Sequence, residues 1–275
     1  MRRVSFGVAI SEDVLGEASP VPFQGGLVDA MAGAADLGFE TVEFHIHDPH
    51  ELDPEALHAE ADRLGLRIAA IGTGLEHGRY GLSLTSPDPA VRAEAARKLR
   101  LHIDFAERVG GAVVFLGLIR GRCGVYERVP ATLDLLAEEL KPVAAYAAEH
   151  GVPTGFEPVA YYFSDLLTRT DETVEFLSRP GLEPIGLLLD THHMFLEDPD
   201  IPAALRASAG RIEHVHLSDS NRRYPGAGNV DFAEIARVLT EIGYDRSVSL
   251  EVLPVPTGDQ AAQRGLAYMR ALWGA

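Results

Sequence analysis

Along this chain, short runs of apolar and β-branched residues alternate with longer amphipathic stretches, and this alternation restricts the fold more than any other feature. We predict eight strands, in the runs Val4–Ile10, Thr41–His45, Arg67–Gly72, Ala112–Gly117, Pro153–Glu157, Ile185–Asp190, Arg211–Leu217 and Ser247–Val252. Helices are predicted over residues 25–37, 54–64, 88–108, 128–149, 171–178, 200–208, 231–242 and 259–272. Eight strand–helix units with short connections predict an α/β fold, a single (β/α)8 TIM barrel.

The alternative architecture is a doubly wound open sheet. That fold usually carries a glycine-rich phosphate loop after its first strand, and residues 11–22 contain no such loop. No linker rich in Pro, Gly or Ser and no block of like charge interrupts the chain. We therefore expect one domain over residues 1–275, because barrels of about 250 residues commonly form a single domain.

The charge balance excludes several classes of partner. The chain has 24 Lys and Arg against 41 Asp and Glu, a formal net charge of −17. Nucleic acids and anionic membranes require clustered basic residues, so we expect neither as a partner. No apolar stretch reaches the roughly 18 residues of a membrane helix. Cys123 is the only cysteine, which excludes an intrachain disulfide and is typical of a cytoplasmic protein.

Reactive groups of a (β/α)8 barrel lie at the carboxyl ends of its strands. The last four predicted strands end at Glu157, Asp190, His216 and Glu251. A single carboxylate at a strand end is usually a salt-bridge partner, but burying three without a cation would cost several kcal/mol each. Three carboxylates and one imidazole suit an oxygen-preferring divalent ion, so we predict one bound Mn²⁺, with Mg²⁺ or Co²⁺ as alternatives.

Several motifs of the chain resemble those of the xylose isomerase-like sugar isomerases and epimerases, and most closely those of the ketose 3-epimerases and 5-keto-L-gluconate epimerases. The segments that carry the resemblance on the later strands are Glu157-Pro158, residues 190–194 (DTHHM), 214–216 (HVH), 220–226 (SNRRYPG) and the strand ending at Glu251. Upstream segments also match, at residues 70–74 (AIGTG), 81–85 (GLSLT) and 117–122 (GLIRGR). The resemblance covers nearly the whole chain.

The resemblance implies that Glu157, Asp190, His216 and Glu251 bind the metal, and that Glu157 and Glu251 also act as the acid/base pair. It further implies that the substrate's oxygens contact His193 and Arg222, and that the protein is a homodimer or homotetramer. Elementary chemistry agrees with an epimerase. An ion chelated by a ketone oxygen and the neighbouring hydroxyl stabilises the enediolate. Two carboxylates on opposite faces could then remove and return the proton, inverting the carbon.

We therefore predict a divalent-metal-dependent epimerase or isomerase of a ketose or keto sugar acid. One departure from the family concerns the substrate. Relatives usually carry Asn and Glu where this chain has Ala160 and Phe163, so one polar anchor is missing. The apolar wall here would admit a deoxy sugar, or an aromatic aglycone stacked on Tyr161 or Tyr162, although these aromatic residues could equally only pack beneath a loop.

Two further residues are candidate substrate contacts. Arg120 follows the fourth strand, where its guanidinium would bind a sugar-acid carboxylate or form a salt bridge to one of the surplus acids. His45 ends the second strand, and we expect it to line the pocket as a hydrogen-bonding group. A second interpretation gives His45 and His47 to an extended metal site, as in endonuclease relatives of this barrel that use several zinc ions.

Three other functions compete with epimerisation. The first is a metal-dependent lyase that eliminates a leaving group from a keto-glycoside or keto-inositol, which the residues at 160 and 163 keep open. The second is a non-catalytic sugar-binding barrel subunit, against which the complete set of four ligands argues. The third is an abasic-site endonuclease, which the net charge of −17 disfavours.

Overall fold

The computed structural model describes residues 4–125 and 128–274 of the chain. Eight parallel strands form its centre: β1 Ser5–Ser11, β2 Thr41–His45, β3 Arg67–Gly72, β4 Val113–Leu116, β5 Thr154–Phe156, β6 Ile185–Asp190, β7 Ile212–His216 and β8 Ser247–Leu250. Each strand pairs with the next along the chain, and β1 pairs with β8 to close the barrel. The predicted (β/α)8 barrel is confirmed, and β2, β3 and β6 have the predicted bounds.

Helices follow the strands on the outside of the barrel. They are α1 Leu27–Leu37, α2 Pro54–Leu64, α3 Gly74–Tyr80, α4 Pro89–Arg108, α5 Val129–Glu149, α6 Thr170–Phe176, α7 Thr191–Glu197, α8 Ile201–Ala207, α9 Phe232–Glu241 and α10 Gly258–Trp273. In residues 4–125 and 128–274, none of the helices is long and apolar enough to cross a membrane. The sequence pattern did not predict the seven-residue helices α3 and α7, which directly follow β3 and β6.

Helix α2 illustrates how local chemistry determines where an element begins and ends. The carboxylate of Asp53 accepts a hydrogen bond from the Ala56 amide, and Pro54 occupies the first turn, where no amide hydrogen is needed. Gly65 ends the helix in the left-handed region, at φ 71°, which a residue without Cβ adopts at little cost. These signals are contained in the sequence, and the predicted bounds 54–64 match the observed helix.

The inside of the barrel is only partly apolar. A small cluster of Ala70, Val113, Phe115 and Leu188 is separate from the main core between sheet and helices. The ring of Phe115 packs edge-on against the imidazoles of His45 and His216, with centroids 5.7 and 5.4 Å apart. The apolar ring thus packs against polar side chains inside the barrel, at its carboxyl end.

Helix α3 carries a fully buried carboxylate, that of Glu76. Neither of its oxygens has a hydrogen-bond partner among the described residues. Lys98 Nζ lies 3.5 Å from Glu76 but only 2.6 Å from the carboxylate of Asp48. Burial, reinforced by the charge of Asp48, raises the pKa of Glu76 to about 7, and the attraction of Lys98 offsets only part of the rise.

We expect Glu76 to make the protein less stable as the pH rises. The folded state holds the proton up to a pH of about 7, whereas the unfolded chain releases it near a pH of about 4.3. The contribution of this group to the free energy of unfolding therefore falls as the pH rises through this window. Between about pH 5 and about pH 8, the free energy of unfolding measured in urea should fall by about 2 kcal/mol less for Glu76→Gln than for the native protein.

The control for this experiment is Glu149→Gln, at an exposed position on α5. Over the same pH range, its free energy of unfolding should fall by as much as that of the native protein. If Glu76→Gln also followed the native pH dependence, Glu76 would not be protonated in the folded state.

Candidate active site and metal centre

Four side chains from consecutive strands meet at the carboxyl end of the barrel. Glu157 follows β5, Asp190 and His216 end β6 and β7, and Glu251 follows β8. One ligand atom from each lies within 4.8 Å of the others, and all four residues are buried. Since neighbouring strands are hydrogen-bonded in parallel, residues at equivalent ends are brought together by the topology itself.

The imidazole of His216 lies at the centre of this group. Its Nδ1 atom is 3.6 Å from Glu157 Oε1, 3.6 Å from Asp190 Oδ2 and 3.4 Å from Glu251 Oε2. Among the described residues, this buried nitrogen has no hydrogen-bond partner. Two ligand atoms each about 2.1 Å from one ion lie about 3 Å apart when adjacent in an octahedral shell and about 4 Å apart when opposite. The four residues therefore fit a divalent ion.

The charges of the group are only partly balanced. Arg222, held in the left-handed region at φ 61°, donates hydrogen bonds to Asp190 Oδ2 and Glu251 Oε2. No such guanidinium hydrogen bond to Glu157 is found in residues 4–125 and 128–274. Three carboxylates thus share one guanidinium, an excess of negative charge that a divalent cation would neutralise.

The surroundings of the three carboxyl groups shift their pKa values in opposite directions. Burial raises the pKa of Glu157, and the charge of Glu251 adds to the rise, although His216 opposes it. Burial also disfavours ionisation of Asp190 and Glu251, but Arg222 and the neighbouring histidines together outweigh it and lower the pKa of both. Before any ion binds, Glu157 is therefore the carboxyl group that most readily holds a proton.

A cavity of about 350 Å³ opens above this group. Six of the predicted site residues line it: His45, Glu157, Phe163, His193, Arg222 and Glu251. Apart from these, its walls are mostly apolar, formed by the segment after β1, by α3 and by the segment after β4. A larger hollow of about 630 Å³ lies at the opposite end of the barrel, but none of the four candidate ligands lines it. The smaller cavity is the candidate active site.

His193 presents a neutral hydrogen-bond donor at the wall of the cavity. Its Nδ1 accepts the Ala160 amide hydrogen at 3.4 Å, which places the ring's proton on Nε2. Burial lowers the pKa of His193 to about 3, so the ring is uncharged at neutral pH. The preceding residue, His192, instead hydrogen-bonds to the Tyr162 hydroxyl and the Asp219 carbonyl.

Comparison with known proteins identifies the family. Residues 31–272 match the family described as the xylose isomerase-like TIM barrel. The chain belongs to this family. An L-ribulose 3-epimerase of Mesorhizobium japonicum is 32% identical over 253 residues, which cover 91% of this chain and 83% of that protein. A ketose 3-epimerase of Arthrobacter globiformis is 30% identical over 241 residues, 86% of this chain and 81% of that one.

A solved structure agrees with these sequence matches. The crystal structure of a D-allulose 3-epimerase from Methylomonas sp. has a TM-score of 0.80 at 25% identity, with 99% of each chain covered. The predicted resemblance to the xylose isomerase-like barrels, with ketose 3-epimerases among the nearest named relatives, is confirmed.

In this member of the xylose isomerase-like barrels, Arg120 lies away from the cavity. It is fully buried, where its Nε donates to the Gly117 carbonyl at 3.0 Å and Nη1 donates to the Leu167 carbonyl at 3.2 Å. Its guanidinium also stacks over the ring of Phe156, 4.3 Å from the centroid. The 3-10 turn Leu118–Arg120 after β4 directs the Arg120 side chain away from the cavity lining. We therefore remove Arg120 from the substrate contacts that the sequence suggested.

Phe163, a predicted substrate contact, lies in the cavity wall beside His193. Its ring lies edge-on to the imidazole of His193, with centroids 5.7 Å apart, and it lines the cavity. Tyr161 and Tyr162 lie farther out and do not line the cavity. The wall beside the His193 donor is thus apolar in this xylose isomerase-like barrel.

Sequence reasoning missed Glu43, which lies inside the barrel beneath the candidate ligands. This fully buried carboxylate is 2.8 Å from His45 Nε2, 2.9 Å from His214 Nε2 and 2.8 Å from His216 Nε2. The period of two along a strand places Glu43 on the same face as His45, and His214 on the same face as His216. This periodicity indicates the face on which Glu43 lies, but it does not show which side chains of distant strands Glu43 meets.

Proposed function

We propose that this protein is a divalent-metal-dependent epimerase that inverts a hydroxyl-bearing carbon next to the carbonyl of a ketose. The observation that carries the proposal is the meeting of Glu157 and Glu251 with His216 at the floor of one cavity. The named relatives are an L-ribulose 3-epimerase and a ketose 3-epimerase, so the prediction of an isomerase, a sugar epimerase, is confirmed. We also propose which metal ion is bound, what each site residue does and which class of sugar is the substrate.

Glu157, Asp190, His216 and Glu251 would hold the ion. Their three carboxylates and one imidazole suit Mn²⁺, and Mg²⁺ or Co²⁺ would also be accepted. When bound, the ion supplies positive charge that stabilises the enediolate formed as the carbon loses its proton. The buried Nδ1 atom of His216, which has no hydrogen-bond partner among the described residues, supports this assignment.

The two glutamates would move the proton. Glu251 would remove the proton on one face of the carbon, and Glu157 would return a proton on the other face. The two roles exchange in the reverse reaction. The neutral His193 would donate its Nε2 hydrogen to a substrate oxygen, and Arg222 would bind a second oxygen while positioning Asp190 and Glu251.

The charges in the cavity favour a neutral ketose over a keto sugar acid. Arg222 is the sole Arg or Lys found in the cavity lining of the described chain, and it already pairs with two carboxylates. Arg120, which could have bound an acid, is buried elsewhere. Apart from the proposed ion, a substrate carboxylate or phosphate would therefore meet no unpaired Arg or Lys in the described cavity lining.

A neutral ketose should be turned over far better than its charged analogues. We expect kcat/KM to be at least about 100-fold higher for a ketose than for the matching keto acid or terminal phosphate, since burying an unpaired charge is costly. Steady-state assays with matched pairs of sugars, followed by chromatography of the epimers, would measure the ratio. A keto acid as good as its neutral counterpart would contradict this charge argument.

The proposed function is tested by deuterium exchange. The protein loaded with Mn²⁺ is incubated in D₂O with a panel of neutral ketoses and 3-keto-glycosides and followed by proton NMR. Deuterium at the carbon next to the carbonyl, together with the epimeric sugar, supports the proposal. Release of an aglycone instead would identify a lyase. Sugar binding without exchange, despite stoichiometric metal, would identify a sugar-binding subunit.

We also propose that the protein is a homodimer or homotetramer with one domain per chain. We propose that it acts in the cytoplasm on a small sugar and not on nucleic acid. The net charge of −17 supports the last point. Light scattering coupled to gel filtration would measure the oligomeric state.

A further inference from the structure

We propose that Glu43 is a positioning residue that fixes the tautomer and orientation of His216 and so sets the affinity of the centre for its ion. The inference rests on the proposed function only in taking His216 as a metal ligand. It assigns a role to a residue on β2, across the barrel from β7, that does not belong to the four-residue set.

Three imidazoles converge on this one carboxylate. Oε1 is 2.8 Å from His45 Nε2, while Oε2 is 2.9 Å from His214 Nε2 and 2.8 Å from His216 Nε2. Glu43 and His216 have no solvent exposure, and His214 is 1% exposed. The hydrogen bonds to Glu43 side-chain oxygens found in residues 4–125 and 128–274 all involve imidazole nitrogens. Glu43 therefore acts on its surroundings through histidines alone.

The chemistry of a carboxylate determines what each histidine must present. An ionised carboxylate only accepts hydrogen bonds, so each of the three Nε2 atoms must carry a hydrogen. In the neutral ring of His216, the lone pair is then on Nδ1, the atom that lies 3.4–3.6 Å from the three carboxylates. The orientation and the tautomer that metal binding needs are thus both set by one hydrogen bond.

The same bond keeps His45 out of the metal's coordination shell. Glu43, His45 and Glu251 form a second group compact enough to hold an ion, and His45 Nε2 is 3.7 Å from Glu251 Oε1. However, Nε2 of His45 carries the hydrogen that it donates to Glu43, so this nitrogen has no lone pair for a metal. The geometry therefore leaves Nε2 of His45 unavailable to an ion while it donates to Glu43.

The test is the binding of Mn²⁺ to the isosteric variant Glu43→Gln, without substrate. A glutamine has one accepting oxygen and one donating nitrogen, so it cannot accept three N–H groups as the carboxylate does, and its uncharged oxygen forms a weaker hydrogen bond with His216. We expect the Kd for Mn²⁺ in isothermal titration calorimetry to rise 10- to 100-fold. We also expect the electron paramagnetic resonance spectrum of bound Mn²⁺ to change, because the orientation of His216 changes.

The matched control is His214→Asn. His214 shares the Oε2 atom of Glu43 with His216 but is not one of the four ligands. Its loss removes a bond to the same carboxylate and leaves the bond to His216 in place, so the Kd should stay within about threefold of native. Thermal unfolding of both variants reports any general loss of stability.

The outcomes separate a positioning role from a structural one. A native Kd in Glu43→Gln, with only its Tm lowered, would overturn the inference, as would equal weakening in Glu43→Gln and His214→Asn. If Glu43→Gln does not fold, Glu43→Asp replaces it, and a native Kd with lowered Tm again overturns the inference. Two ions per native chain would overturn the assignment of His45. No Mn²⁺ binding by the native protein would instead contradict the proposed function.

Discussion

Glu251→Gln and Glu157→Gln are each expected to lower kcat/KM for ketose epimerisation by at least about a thousandfold, since each would remove a proposed proton-transfer group and the charge of a proposed metal ligand. Inversion needs a base on one face of the carbon and an acid on the other, so either variant alone should end it. Steady-state assays of purified variants, with bound metal quantified in each, would measure the loss. The control is Glu197→Gln, on the same rim but outside the cavity lining.

Deuterium exchange distinguishes the two roles. With Glu251 lost, Glu157 should still exchange the proton of one epimer slowly, without inversion, and with Glu157 lost the opposite epimer should exchange. Proton NMR in D₂O, starting from each pure epimer, reports both reactions. If the two variants exchanged the same epimer, one group would serve both faces and the two-carboxylate mechanism would be wrong. Epimerisation at the native rate in either variant would remove that residue from the chemistry.

Removal of the metal is expected to abolish activity, to below about 1% of the loaded enzyme, and to lower the Tm. Without the ion, Glu157, Asp190 and Glu251 lie around His216 with a single guanidinium to balance them. At a free Mn²⁺ concentration of about 100 times its Kd, binding should add about 2.7 kcal/mol to the free energy of unfolding. Differential scanning calorimetry after chelation and after Mn²⁺ addition would measure this gain.

Asp190→Asn is the control for the ion's effect on stability. Asp190 is both a candidate ligand and the N-cap of α7, where Oδ1 accepts the His192 amide hydrogen at 2.7 Å. Asparagine keeps the cap, so the variant should fold, but the rise in Tm on adding Mn²⁺ should shrink. Full activity after exhaustive chelation, or an equal Tm rise in native protein and variant, would contradict the proposed centre.

Much of the fold and four residues of the site could be predicted from local sequence signals. Strand β6 and helix α2 have the predicted bounds because apolar runs, caps and glycines act within a few residues of one another. Once eight strand–helix units are recognised, barrel topology places the ends of consecutive strands side by side. Asp190, His216 and the two flanking glutamates therefore needed no knowledge of side-chain packing to be grouped together.

The contacts of the Arg120 and Glu43 side chains could not be predicted from local sequence signals. Arg120 follows a strand as a site residue should, but the 3-10 turn directs its guanidinium onto the Phe156 ring and two backbone carbonyls. Glu43 meets His214 and His216 across the barrel, over separations of 171 and 173 residues. Neither arrangement leaves a local pattern in the chain.

The sequence by itself determined the barrel, the family and the four residues at the strand ends, because periodicity, caps and chain order contain that information. Only the tertiary structure decided that Arg120 is absent from the cavity, that Phe163 adjoins the donor His193, and that Glu43 joins three histidines. The physical reason is closure of the barrel. Contacts across its interior depend on how the closed sheet directs side chains from distant strands toward one another.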